Sequence, residues 1–132
     1  MQEKIEKLKQ LKLLFVEDEE DLLQIISDTL TKLQANFVTA KNGSEALEVI
    51  EQNPDIDAVI TDINMPYMNG LDMIKEINER GIELKIVIMS AHTESEYISK
   101  AKEYGINDYL LKPFDFIKFI DLITTMEFKN KK

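Results

Sequence analysis

Ala58-Val59-Ile60-Thr61-Asp62-Ile63-Asn64-Met65-Pro66 begins as an uninterrupted strand-forming run, stops on a carboxylate and breaks into a loop. Its first residues show no polar alternation, as in a strand covered on both faces. Other runs end in the same manner. Leu13-Leu14-Phe15-Val16 runs into Glu17-Asp18, Ile86-Val87-Ile88-Met89 into Ser90, and Tyr109-Leu110-Leu111 into Lys112-Pro113. As parallel strands of one sheet they would bring carboxylates, a hydroxyl and an ammonium to a single edge. Such a pocket suits Mg²⁺ and a phosphoryl group.

The stretches between these runs carry helical spacing. Lys12–Val16 is the first strand, and Asp21–Leu33 then places Leu22, Ile26, Leu30 and Leu33 on one helical face. Asn36–Ala40 is a short second strand. Asn42, with Glu45 three residues on, starts a helix bearing Ala46, Leu47 and Ile50. Asp57–Thr61 is the third strand, and Asn69-Gly70 opens a helix with Leu71, Ile74 and Ile77 that ends near Gly81, a usual C′ residue. Leu84–Met89 is the fourth strand. Thr93 with Glu96 caps a helix carrying Tyr97, Ile98 and Ala101. Asn107–Leu111 is the fifth strand, and Phe114–Phe128 the last helix, with Phe116, Ile120 and Ile123 in register. Alternating strands and helices of this kind predict an α/β fold, a doubly wound parallel sheet with every strand C-terminus at one edge. The pattern leaves strand order open.

With 132 residues and 44% hydrophobic content, the chain can build one core. Residues 11–128 read as a single domain, and Lys129-Asn130-Lys131-Lys132 as a basic tail. Residues 1–10 are charged, with Ile5, Leu8 and Leu11 at helical spacing: a lead-in turn, a linker stub or a short helix on a partner. The net charge of −9 argues against direct nucleic-acid binding, which needs basic surface. Cysteine is absent, so no disulfide or thiolate site can form. The charged start is no signal peptide and no run has the length of a membrane span, so a cytoplasmic domain without membrane contact is expected.

Glu17-Asp18-Glu19-Glu20-Asp21 has a plain reading as an acid-rich helix start opposing the macrodipole. That reading serves Glu19, Glu20 and Asp21. Glu17, however, directly continues a buried strand, where an unpaired charge is costly and a hard cation compensates. An Asp at a strand end often only caps a turn. Beside a second acidic cluster, Asp62 gains another meaning: crowded carboxylates repel unless a cation separates them. With Mg²⁺ in place, Asp62 can act as an ionised nucleophile toward phosphorus. Lys112 can neutralise a phosphoryl oxygen as a point charge, and Lys112–Pro113 is a candidate cis peptide. Ser90 alone says little. His92, the single histidine, has no companion ligand for a transition metal.

Taken together, LLFVEDEE, TDINMPYMNG, IMSA and YLLKPF resemble, in order and separation, the receiver domain of two-component response regulators. The resemblance spans roughly residues 11–127. It implies a flavodoxin-like (βα)5 fold with strand order 2-1-3-4-5. Residue by residue, it makes Asp62 the phosphoacceptor, and Glu17, Asp18, Asp62 and the backbone carbonyl of Asn64 the ligands of Mg²⁺ (or Mn²⁺). Ser90 and Tyr109 become the switch pair and Lys112 the phosphate-binding lysine, while Asn64 and His92 sit where dephosphorylation rate is tuned. The chain departs from the commoner Asp-Asp pair by having Glu17 before Asp18.

What the resemblance implies is a switch, not a turnover enzyme. A histidine kinase or phosphotransfer protein donates the phosphoryl group, and the chain catalyses only its own modification and its reversal. The output partner or domain, unidentified by sequence, would read the face made by the last two helices and the strand between them; homodimerisation on phosphorylation is open. One alternative is a degenerate receiver acting as an unphosphorylated interaction module. Another is a Mg²⁺-dependent small-molecule phosphatase, against which stand the short loops, the lack of a cap and the absence of a P-loop.

Overall fold

The structure, a computed structural model, describes residues 2–63, 65, 68–90, 95–113, 115–126 and 128, with the backbone only of Ser95. Its elements in chain order are α1 (Gln2–Lys9), β1 (Lys12–Val16), α2 (Glu20–Lys32), β2 (Asn36–Ala40), α3 (Gly43–Gln52), β3 (Ala58–Asp62), α4 (Gly70–Glu79), β4 (Lys85–Ser90), α5 (Ser95–Glu103), β5 (Asp108–Leu111) and α6 (Phe116–Thr125). The strands form one sheet in the order β2-β1-β3-β4-β5, every neighbouring pair parallel. This is the flavodoxin-like arrangement expected from the resemblance.

Apolar runs without alternation are explained by two cores, one on each face of the sheet. Leu13 and Phe15 of β1, Ala58 and Ile60 of β3, and Val87 and Met89 of β4 point to one side, against Leu23, Ile26 and Leu30 of α2 and Phe119, Ile120 and Ile123 of α6. The interleaved Leu14, Val16, Val59, Ile86 and Ile88 point to the other, against Ala46, Leu47 and Ile50 of α3 and Met73, Ile74 and Ile77 of α4. Successive side chains of a strand face opposite ways, so a strand with helices on both sides must be apolar throughout.

Capping residues fix where helices begin and end. Asn42 accepts a hydrogen bond from the Glu45 amide and Asn69 from the Asp72 amide, both at 2.9 Å. Gly81, at φ 70°, closes α4: its amide donates to the Asn78 carbonyl and the Ile82 amide to the Ile77 carbonyl, a Schellman motif. The last helix is shorter than the expected Phe114–Phe128. Asp115 caps it by accepting from the amides of Ile117 and Lys118 at 2.9 and 3.2 Å, and Met126 is extended at its end. Apolar periodicity continues past both points, but the cap decides the start. Asp115→Ala is expected to lower stability by about 1 kcal/mol. A urea midpoint equal to the native one would contradict that.

Residues 2–9 form a helix that packs against its own chain. α1 lies on α6, with Leu8 and the following Leu11 fully buried in the α2/α6 core and Lys4 paired with Asp121. Strand boundaries also differ by one residue at the functional edge. β3 includes Asp62 and β4 includes Ser90, so both side chains are held by sheet pairing rather than by the loops after them.

Candidate functional site

β1 and β3 are neighbours, so Glu17 and Asp18, which follow β1, meet Asp62 at the end of β3. Carboxylate oxygens of these side chains lie within 4.8 Å of one another. β4 adds Ser90 beside them, fully buried. β5 adds Lys112, whose amide donates to the Ser90 carbonyl at 2.8 Å and whose long side chain crosses back over β4. The Lys112–Pro113 peptide is cis.

Asp62 is buried with a donor on each carboxylate oxygen. The Ile63 amide donates to Oδ1 at 2.7 Å, and Lys112 Nζ to Oδ2 at 2.9 Å. Its backbone is anchored too, because the Thr61 hydroxyl donates to the Asp62 carbonyl at 2.7 Å. The carboxylate is therefore fixed in place at a point where the sheet's C-terminal edge opens to solvent.

Glu17 is in the opposite situation. Only 1% of the residue is exposed. The Glu19 amide donates to Oε2 at a long 3.3 Å, and among the described residues Oε1 has no hydrogen-bond partner, with Lys112 Nζ at 3.7 Å. Burial, and then the neighbouring charge of Asp62, push the Glu17 carboxyl up from 4.5 to about 7; the Glu19 amide and Lys112 oppose this. A buried carboxylate with an oxygen left unpaired among the described residues, clustered with two other carboxylates, is a poor arrangement for the protein alone and a good one for a small divalent cation. Oxygen-only donors and the mixture of buried Glu17 and Asp62 with exposed Asp18 suit Mg²⁺, which keeps several waters.

The structure thus brings together Glu17, Asp18, Asp62 and Lys112, with Ser90 at the adjoining strand end. Tyr109 stands apart on β5, 45% exposed. Asn64 and His92, and the Thr93 of the expected cap, lie outside the described residues. Sequence reasoning treated Gly70 as a helix start only; in the fold it lies against the Asp62 backbone, with its amide donating to the Ile63 carbonyl at 2.8 Å. The only available signal was the repeated Asn-Gly pair, Asn42-Gly43 and Asn69-Gly70.

Known proteins share this architecture and sequence. The profile of the response regulator receiver domain matches residues 13–124. Chemotaxis protein CheY1 of Helicobacter pylori is 36% identical over 107 residues, covering 79% of this chain and 86% of that protein. A chemotaxis protein CheY homolog of Campylobacter jejuni is 34% identical over 107 residues, covering 79% and 82%. Among solved structures, the N-terminal domain of an uncharacterized Wolinella succinogenes protein superposes with a TM-score of 0.78 at 30% identity, covering 86% of this chain and 90% of that one. The CheX-CheY-BeF3-Mg complex of Borrelia burgdorferi superposes at 0.77 with 25% identity, covering 87% of each chain. With fold, acidic edge and sequence in agreement, the chain belongs to the response regulator receiver domain family.

Proposed function

We propose that this chain is a phosphorylation-switched receiver in which Asp62 takes a phosphoryl group from a histidine kinase or phosphotransfer protein. The observation that carries this reading is the buried Asp62 carboxylate, fixed by the Ile63 amide and Lys112 beside the Glu17 oxygen left unpaired among the described residues. Glu17, Asp18 and Asp62 would hold Mg²⁺, together with the Asn64 carbonyl that the family likeness assigns. When bound, that ion offsets the charge gathering on the phosphoryl oxygens.

In the transfer, an Asp62 carboxylate oxygen forms a bond to phosphorus while the phosphorus–nitrogen bond of the donor phosphohistidine breaks. The electron pair of that bond stays on the leaving imidazole. Lys112 turns from Asp62 Oδ2 toward a phosphoryl oxygen and the Ser90 hydroxyl donates to another. The reversal is attack of water on phosphorus: a new oxygen–phosphorus bond forms, the bond to the Asp62 oxygen breaks with its electron pair kept by the carboxylate, and inorganic phosphate leaves.

Readout falls to the face formed by α5, β5 and α6. Tyr109, Leu111 and Ile117, large side chains of β5 and α6, are 45%, 39% and 62% exposed, and Lys100, Lys102 and Lys118 of α5 and α6 are exposed too. Apolar surface with a polar surround is the composition of a docking face. The test is direct. Incubation with a small phosphodonor and Mg²⁺ should add one phosphoryl mass to the native chain and none to Asp62→Ala. An adduct that persists in the variant would refute the assignment.

A further inference from the structure

We infer that Gly70 and Gly43 are positioning residues for Asp62: two helix N-termini close onto the segment after β3 and leave no room for a side chain at either first position. The inference rests on the phosphotransfer reading of Asp62 and goes beyond it by naming what holds the acceptor's backbone. Each helix opens on the same pair, Asn42-Gly43 for α3 and Asn69-Gly70 for α4, with the asparagine as the cap. Gly70 lies against the residues at the end of β3, and Gly43 against Met68, just before the cap of α4.

Just after β3, the Gly70 amide donates to the Ile63 carbonyl at 2.8 Å. A Cβ on Gly70 would lie 2.4 Å from the Asp62 carbonyl oxygen and 3.1 Å from Ile63 Cα. These are backbone atoms of the acceptor and of the residue after it, so they can yield only by moving the chain at Asp62. Just before the cap of α4, the Gly43 amide donates to the Met68 carbonyl at 2.9 Å. A Cβ on Gly43 would stand 2.8 Å from both that oxygen and Met68 Cγ, and 3.1 Å from Met73 Cβ of α4. Neither glycine has a left-handed backbone, so the requirement is for space and not for an unusual torsion. Alanine is favoured over glycine inside a helix; a loss on substitution therefore reports the contact.

The consequence concerns geometry at phosphorus. Asp62 Oδ1 and Oδ2 are set by short bonds to the Ile63 amide and Lys112, and in-line attack tolerates little displacement. Gly81 provides the comparison, since its φ of 70° makes Gly81→Ala strained while a Cβ there meets nothing within 4 Å among the described residues. It lies at the far end of α4, away from the acidic edge.

The experiment measures, for the native chain, Gly70→Ala, Gly43→Ala and Gly81→Ala, the phosphorylation rate with a small phosphodonor at saturating Mg²⁺. Thermal melting and the Ile63 amide resonance without metal are recorded alongside. Gly70→Ala is expected to shift the Ile63 amide and slow phosphorylation by roughly ten- to a hundredfold, with a smaller loss in Gly43→Ala, whose clash falls on Met68 and Met73 and not on Asp62. Gly81→Ala should melt lower yet keep the native amide position and rate. A folded Gly70→Ala with native rate and native Ile63 amide overturns the inference. Should Gly70→Ala not fold, Gly43→Ala decides on the same readouts, and native values there overturn it. If the native chain takes no phosphoryl group, the phosphotransfer reading fails, and the Ile63 amide alone then decides whether these glycines place Asp62.

Discussion

Replacing Glu17 by Gln should make the metal-free protein more stable above pH 7 and nearly blind to Mg²⁺. Glu17 is buried, its Oε1 lacks a hydrogen-bond partner among the described residues, and Asp62 stands beside it. Its carboxyl is raised from 4.5 to about 7. A group whose folded pKa lies above its unfolded value takes up a proton on folding. The stability linked to that proton is fully present below pH 4.5 and is lost as pH rises through about 7. Each unit is worth about 1.4 kcal/mol, so the ionised side chain costs the metal-free fold on the order of 3 kcal/mol at alkaline pH. Gln keeps the shape without the charge.

In chelator, Glu17→Gln should therefore melt roughly 10 °C above the native chain at pH 8 and close to it at pH 5. Adding Mg²⁺ should raise the native chain and leave the variant nearly unmoved, because binding needs the ionised carboxylate. For the same reason, native Mg²⁺ affinity should fall about tenfold per unit as pH drops below 7, one proton being displaced per ion. Calorimetric titrations at several pH values read that slope. A variant less stable than native at pH 8 in chelator would mean that Glu17 stabilises the fold without metal, and the site would need another reading.

The second large effect lies at the far end of the molecule. Leu8→Ala should destabilise by about 2–4 kcal/mol and lower the melting temperature by roughly 10 °C. Leu8 is fully buried in the core shared by α2 and α6, and the helix that carries it is tied to α6 by Lys4 and Asp121. The receiver profile begins only at residue 13, after this helix. On that basis we propose that the folding unit of this chain starts near residue 4, with α1 as part of it. The exposed Glu3→Ala, on the same helix, is the control and should leave the midpoint unchanged. Equal melting of Leu8→Ala and native chain would show that α1 does not contribute to the core in solution.

How much could be read beforehand follows from burial. Strands covered on both faces must be apolar throughout, so Leu13–Val16, Ala58–Thr61 and Ile86–Met89 stood out, and parallel crossovers then required their ends to share an edge. Asp62, Ser90 and Lys112 were legible for that reason. Glu17 was legible as a buried charge, because it continues β1 without a break. Strand order was not in the pattern; it came from the family likeness, and the structure has the same order.

Other features depend on contacts that no local pattern records. An eight-residue amphipathic helix such as α1 shows that it has an apolar face but not which surface receives it. Apolar periodicity carried the last helix past both of its real ends, since Asp115 sets the start by a hydrogen bond that periodicity does not register. Gly70 looked like a helix opener because its second requirement, clearance from the Asp62 carbonyl, arises only once β3 and α4 are packed together.

Chemical trapping of the modified residue tests the assignment of Asp62 most directly. The chain is phosphorylated by a phosphohistidine donor with Mg²⁺, the acyl phosphate is reduced with borohydride, and the peptides are sequenced by mass spectrometry. Reduction converts an aspartyl phosphate to homoserine with release of phosphate. Homoserine at position 62, and at no other aspartate, is the expected result; reduction at another carboxylate, or a phosphoryl group retained on serine or histidine, would contradict it.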